Sequence, residues 1–286
     1  MSNPEAKKDF RSTLINMIDN TQLSPTSVYQ PVEYKTLRAY QFPALAQTTH
    51  AVFTRLGGVS KPPWHSLNMG HAVGDSPWHV KANFESACQA LNINPQHTAA
   101  CHLVHGNRVV VARNGQNRQL LDQADAIITR GPGLYLTMRF ADCTPLLFFD
   151  PITQSVGLGH AGWRGTMKNV VGAVVGAMRH HFGSEPQDIT VVIGPSIGPC
   201  CYEVRSDVLD AAQRAFTNPM LFFDKRGGTA YFDMWRASVH QAEQAGLKQI
   251  IVSELCTACR TDDFFSHRAE KGKTGRFGVF LGIPED

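Results

Sequence analysis

Apolar positions along the chain change period several times, and each change marks an element. Val80, Phe84, Ala87, Cys88 and Leu91 fall on one face of a 3.6-residue period, which predicts a helix with Cys88 on its core face. A longer helix is predicted after residue 160, with Met167, Val170, Val171, Val174, Val175, Met178 and Phe182 on one side and Gly183 as its stop. Two more helices are predicted, one near Ser206 with Val208, Leu209, Ala212 and Phe216 inward, the other running from an N-cap at Asp233 to Gly246. Short apolar or β-branched runs predict strands over 48–55, 108–113, 124–129, 134–138, 145–149, 154–159, 189–194, 249–253 and 276–283. Tight turns such as Gly131-Pro132-Gly133 and Asp150-Pro151 separate several of them, so the pattern favours antiparallel or mixed sheet over repeated strand–helix–strand units.

Between these elements, residues 60–77 form a long loop rich in Pro, Gly, Asn and Ser that carries Asn68, His71 and Asp75. Residues 1–35 hold polar clusters and little periodicity, apart from one amphipathic turn at Leu14, Met17 and Ile18. They are expected to be a loosely packed N-terminal extension. No repeat or low-complexity linker divides the remainder, so 36–286 is expected to be one domain.

Composition narrows the function classes. The 286 residues suffice for a large core, and a net charge of +3 without a basic, aromatic-laced block argues against a nucleic-acid partner. No apolar run approaches the ~20 residues that span a bilayer, and the polar start lacks a signal-peptide core. A cytoplasmic protein with no membrane partner is the expectation. Seven cysteines, an odd number, argue for reduced thiols rather than a disulfide framework.

Three residues stand at the ends of apolar runs among small or turn-forming neighbours: His105, Cys143 and His160. One thiolate and two imidazoles suit zinc or copper, and three protein ligands leave a fourth position open for water. Their spacing matches no compact metal motif, and each residue taken singly reads as a turn histidine or a small buried cysteine. Asp142 would cap its turn, orient a ligand histidine or donate a proton. Arg55, Arg164, Lys273 and Arg276 lie beside glycine or at element starts, and Arg164 with the free amides of the next helix would make an anion site. Lys271-Gly-Lys-Thr-Gly-Arg276 has the composition of a phosphate loop but lacks the spaced leading glycine. Cys256-Thr-Ala-Cys259 has redox or zinc spacing without a partner pair, and Cys200 and Cys201, being adjacent, are not expected to face one metal. Both pairs are read as structural.

Taken in order, Leu103-Val-His105-Gly, Ala141-Asp142-Cys143-Thr-Pro, His160-Ala-Gly-Trp-Arg164-Gly-Thr, Gly194-Pro-Ser-Ile-Gly-Pro-Cys-Cys-Tyr202-Glu-Val and Phe265-Ser266-His267-Arg268, followed by Thr274-Gly-Arg276, resemble the YfiH family. Its members are called laccase-domain proteins, polyphenol oxidases or purine nucleoside phosphorylases. Thr54-Arg55-Leu-Gly-Gly and Ser66-Leu-Asn68 extend the likeness, which covers roughly residues 45–283. Two positions depart from the family pattern: Leu103 stands where it usually has Gln, and its Ser-Tyr-Arg-Arg is here Ser266-His267-Arg268-Ala269.

The resemblance implies an α+β fold, a single-domain four-layer α/β/β/α sandwich with mixed β-sheets. It also implies a metal, usually zinc with copper as the alternative, on His105, Cys143 and His160. The implied activities are phosphorolysis of adenosine, inosine and methylthioadenosine, and deamination of adenosine. Purine nucleoside and phosphate are then the partners, and the chain is expected to be a monomer or weak homodimer. Cys143, Asp142 and Arg55 are the expected catalytic residues, with Arg164, Asn68 and Arg268 binding substrate or phosphate. A laccase-like copper oxidase is a weaker alternative, because the chain contains no His-x-His pair. A hydrolase using Cys143 as nucleophile is another.

Overall fold

The computed structural model describes residues 28–113 and 119–285. The strands are β1 (Gln30–Tyr34), β2 (Leu37–Gln41), β3 (Thr49–Phe53), β4 (Thr98–His102), β5 (Val109–Val111), β6 (Gln119–Gln123), β7 (Ala126–Arg130), β8 (Tyr135–Phe140), β9 (Thr144–Asp150) and β10 (Ser155–Ala161). They continue with β11 (Thr190–Ile193), β12 (Glu203–Val204), β13 (Phe223–Arg226), β14 (Thr229–Phe232), β15 (Gln249–Val252) and β16 (Phe277–Gly282). The α-helices are α1 (Pro77–Ala90), α2 (Trp163–Met167), α3 (Val170–Phe182), α4 (Ser206–Ala215) and α5 (Met234–Gln244).

Two mixed sheets are stacked. One has the order β1-β2-β3-β16-β8-β4-β6, the other β15-β11-β9-β10-β7-β5. Side-chain alternation assigns the layers. Leu136, Met138 and Phe140 of β8 meet Leu147 and Phe149 of β9, Val156 and Leu158 of β10 and Val192 of β11 in a core between the sheets. The intervening positions Leu146, Phe148, Ile128, Val191 and Ile193 point the other way, onto Val170, Val171, Val174 and Met178 of α3. On the opposite outer face, Phe84, Ala87 and Cys88 of α1 pack on Ala39, Ala51, Phe53 and Phe280 of the first sheet. The result is the helix–sheet–sheet–helix sandwich. A three-stranded sheet, β12-β14-β13, and α4 form a side lobe around Phe222 and Phe232.

Two expectations shift. Gln30–Tyr34, assigned by pattern to the N-terminal extension, pairs in register with Leu37–Gln41 across a short turn in which Lys35 adopts φ 54°. The sheet therefore reaches into that stretch, and Leu14, Met17 and Ile18 lie outside the described residues. The long helix after residue 160 is two helices. Asn169, at φ 56°, breaks the run and restarts it as the N-cap of α3, its side chain accepting from the Gly172 N–H. Gly183 ends α3 at φ 75° as expected.

Candidate functional site

His105 follows β4 of the first sheet. Cys143 immediately precedes β9 of the second sheet, and His160 is the penultimate residue of β10. Pairing of β9 with β10 sets His160 opposite Pro145, which brings its ring beside the Cys143 thiol. The three donor atoms lie within 4.8 Å of one another at the end of the sandwich. The His105 and His160 rings stand edge to face with centroids 5.0 Å apart.

Two glycines make the approach possible. A Cβ on Gly162 would stand 3.1 Å from the Cys143 Sγ and 3.1 Å from the His105 Cδ2. A Cβ on Gly165 would come within 2.7 Å of the Gly106 carbonyl, against which α2 is seated.

Sequence reasoning missed Asp125. Its carboxylate is fully buried and accepts from the backbone N–H groups of His105 (2.8 Å), Gly106 (2.6 Å) and Val104 (3.3 Å). It also takes the Nδ1–H of His160 at 3.0 Å, which fixes the tautomer and leaves Nε2 free for a metal. These donors hold the Asp125 carboxyl below its ordinary range against the opposing effect of burial. One carboxylate thus shapes the turn at His105, where φ is 57°, and orients the His160 ring.

Electrostatics at the donors points the same way. Desolvation alone would raise the Cys143 thiol, but His160 and His105 more than offset it and the thiol is lowered. Desolvation alone would lower His160, but the Cys143 sulfur and Asp125 raise it. Each group thus favours the charged form of the other, the environment in which a thiolate and imidazole donors accept a cation. A thiolate and two imidazoles within reach of a single point, one imidazole braced by a carboxylate, fit one zinc or copper ion.

The donors sit in a cleft of about 460 Å³, within the usual range for small-molecule sites. Arg139, Arg164, Arg268 and Arg276 line it, as do Trp163, Tyr202 and His267. Arg164 lies over the Trp163 ring at 4.3 Å, and Arg268 over Tyr202 at 5.2 Å while reaching the Glu203 carbonyl. Burial holds the Arg276 guanidinium below its ordinary value. Burial also pushes the Tyr202 hydroxyl up.

The other expected site residues separate. Asp142 lines the cleft at φ 84°. One of its oxygens accepts from the Thr257 hydroxyl (2.7 Å) and the other from the Arg268 N–H (2.6 Å). It ties the loops of the rim together, and the histidine-orienting role belongs to Asp125 instead. Arg55 is not in the cleft. Its guanidinium bonds Glu270 at 3.0 Å and the Thr261 and His65 carbonyls, and packs on Phe265, because the loop after β3 folds against the chain near residue 265. Asn68 is also outside the cleft. Fully buried, it donates to Asp75 and accepts from the Gly70 and Arg276 N–H groups, so it supports the backbone that presents Arg276.

The family described as "Multi-copper polyphenol oxidoreductase laccase" matches residues 49–284. The chain belongs to this laccase-domain family, the YfiH family. It is 36% identical over 255 residues to the purine nucleoside phosphorylase YlmD of Geobacillus stearothermophilus, covering 85% of this chain and 93% of that protein. It is 32% identical over 230 residues to the purine nucleoside phosphorylase YfiH of Escherichia coli, covering 80% and 91%. The crystal structure of the Geobacillus YlmD superposes with a TM-score of 0.85 at 33% identity, over 91% of this chain and all of that one. Family membership agrees with the sandwich and with the order of motifs. It does not bring the copper clusters of laccases: among the described residues the histidine ligand sets reduce to the single His105–Cys143–His160 group.

Proposed function

We propose that the sandwich domain, expected over residues 36–286 and extended by β1 from Gln30, acts as a metal-dependent purine nucleoside phosphorylase, with adenosine, inosine and methylthioadenosine as substrates and adenosine deamination as a second activity. The observation that carries this reading is the convergence of His105, Cys143 and His160 in a cleft also lined by Arg164, Arg268 and Arg276 and by the aromatic side chains of Trp163 and Tyr202. The names of the relatives give the reaction class.

His105, Cys143 and His160 would hold the ion, which we take to be zinc because among the described residues no second histidine-containing ligand set accompanies it, as a multi-copper centre would need. When bound, the ion supplies Lewis-acid chemistry at its open position. Asp125 keeps His160 in its ligand tautomer, and Gly162 leaves the ligands room.

Phosphorolysis exchanges the bond between C1′ of the ribose and the purine nitrogen for a bond from C1′ to a phosphate oxygen. It therefore needs a dianion held against an electron-poor sugar carbon. Arg164, Arg268 and Arg276 supply the charge and the bidentate geometry that phosphate prefers. Trp163 and Tyr202 offer flat apolar faces to the purine. The Cys143 hydrolase alternative is weaker, because the same thiol that would attack is already one of three converging metal donors.

Inosine incubated with phosphate should release hypoxanthine with the wild-type chain and not with Cys143→Ala or His160→Ala, both of which should stay folded by circular dichroism. Release that is undiminished in either variant removes the site from the reaction.

A further inference from the structure

The fold assembles a second metal-ligand cluster that neither the cleft nor the phosphorylase reading uses. Strands β11 and β15 are parallel neighbours, with Ile193 opposite Val252. The segments leaving them run on side by side, bridged at Ser196 and Cys256. One then turns through Cys200-Cys201 and the other through Cys256-Thr-Ala-Cys259. The four sulfurs, far apart in sequence as two pairs, come within 4.8 Å of one another. The two adjacent thiols, not expected to face one metal easily, here lie on one cluster, which also supplies the partner pair that the Cys256–Cys259 spacing lacked.

We propose that Cys200, Cys201, Cys256 and Cys259 form a structural zinc site of four thiolates, separate from the His105–Cys143–His160 centre. Four sulfurs about 2.3 Å from one zinc stand about 3.8 Å apart in a tetrahedron. Here the Cys259 Sγ lies 3.5 Å from that of Cys200 and 3.3 Å from that of Cys201. These separations are far beyond the ~2.05 Å of a disulfide, and Cys259 faces two sulfurs about equally. They are also too short to surround a multi-iron cluster, so one ion is the occupant.

The surrounding hydrogen bonds fit thiolate ligands. The Cys256 Sγ accepts the Gly198 N–H at 3.2 Å and also the Cys259 N–H, as a two-residue cysteine turn around zinc requires. Arg226 caps the outer side, donating to the Pro199 and Cys200 carbonyls, and offsets part of the negative charge that four thiolates leave on a divalent ion.

The site has a mechanical consequence. One clamped segment carries Ile197 and Tyr202, which line the cleft, and the other carries Thr257, which holds Asp142. An ion here staples two halves of the rim together.

The test is zinc content and zinc X-ray absorption on the full-length purified chain. Cys143→Ala should retain one zinc per chain with an all-sulfur shell at about 2.3 Å. Cys259→Ser and Cys200→Ser should each hold one zinc fewer than wild type, and the zinc they keep should have mixed nitrogen and sulfur ligands. A Cys143→Ala chain that binds no zinc, or binds it through nitrogen and oxygen only, overturns the proposal. So does a wild-type mass showing a disulfide among these four cysteines. The wild-type chain needs no substitution to be informative: if it holds one zinc with only sulfur around it, the tetrathiolate site stands and the His105–Cys143–His160 centre falls.

Discussion

Replacing Asp125 with Asn isolates the positioning role that the structure gives this residue. The carboxylate accepts on both oxygens: the His105 N–H and His160 Nδ1 on one, the Gly106 and Val104 N–H groups on the other. An amide keeps one accepting oxygen and turns an NH₂ toward whichever pair it abandons. If it abandons His160, the ring loses its brace and the His105 backbone loses its acceptor together. Loss of a carboxylate behind a ligand histidine weakens metal binding about 10–100-fold, or roughly 1.4–2.7 kcal/mol. If it abandons the other pair, the turn loses the hydrogen bonds of the Gly106 and Val104 N–H groups to a charged acceptor, each worth about 1.5–3 kcal/mol to the fold. Competition with a chromophoric chelator measures affinity at the His105–Cys143–His160 centre, and thermal unfolding of the metal-free chain measures the turn. The Cys259→Ser background removes the second zinc from the titration. Affinity and unfolding temperature both unchanged in Asp125→Asn would refute the reasoning.

Three other outcomes follow from single residues. The His50 ring accepts the Phe42 N–H at Nε2 (2.8 Å) with Thr48 at Nδ1, and burial lowers its pKa to about 4 from the ordinary 6.5. The unfolded chain therefore binds the extra proton over that window, and stability falls as pH drops from about 6.5 toward 4, by at most ~1.4 kcal/mol per pH unit. Urea unfolding across the window should show that slope reduced in His50→Gln, and equal slopes in the two proteins would contradict the assignment. Gly162→Ala sets a methyl 3.1 Å from both the Cys143 Sγ and the His105 Cδ2, and should cost zinc at that centre while leaving the tetrathiolate zinc in place, as read by metal analysis. Arg55→Ala removes the cationic partner of Glu270, which keeps the Ser266 N–H and the Thr274 hydroxyl, and should lower stability by about 1–3 kcal/mol in denaturant unfolding, with KM for phosphate unchanged; a raised KM would return Arg55 to the site.

The elements whose alternation or 3.6-residue period is unbroken were legible: β3, β8 to β11, β15 and β16, and α1 and α3 to α5 match the pattern within a few residues. Strands β4 and β6 were not, since Thr98-Ala-Ala-Cys-His and Gln119-Leu-Leu-Asp-Gln carry little alternation and are set by pairing with each other. His105, Cys143 and His160 stood out because each ends an apolar run, but only the resemblance joined them into a ligand set, because their convergence comes from two stacked sheets and leaves no periodic trace. Asp125 had one signal, an acid between Ala124 and Ala126 at the start of a buried strand, and its partners lie some twenty or more residues away. Arg55 and Asn68 were misplaced for the reverse reason. Their loop sequence looked unoccupied, while Glu270 and the Arg276 N–H that engage them come from the far end of the chain.

The most direct measurement is product analysis of adenosine incubated with the zinc-loaded chain, with and without phosphate. Adenine and ribose 1-phosphate, formed only when phosphate is present, are the predicted result, with ribose 1-phosphate equal to the sum of adenine and hypoxanthine and with inosine as the product of the second activity when phosphate is absent. Adenosine recovered intact under both conditions would contradict the assignment of this cleft to purine nucleoside phosphorolysis.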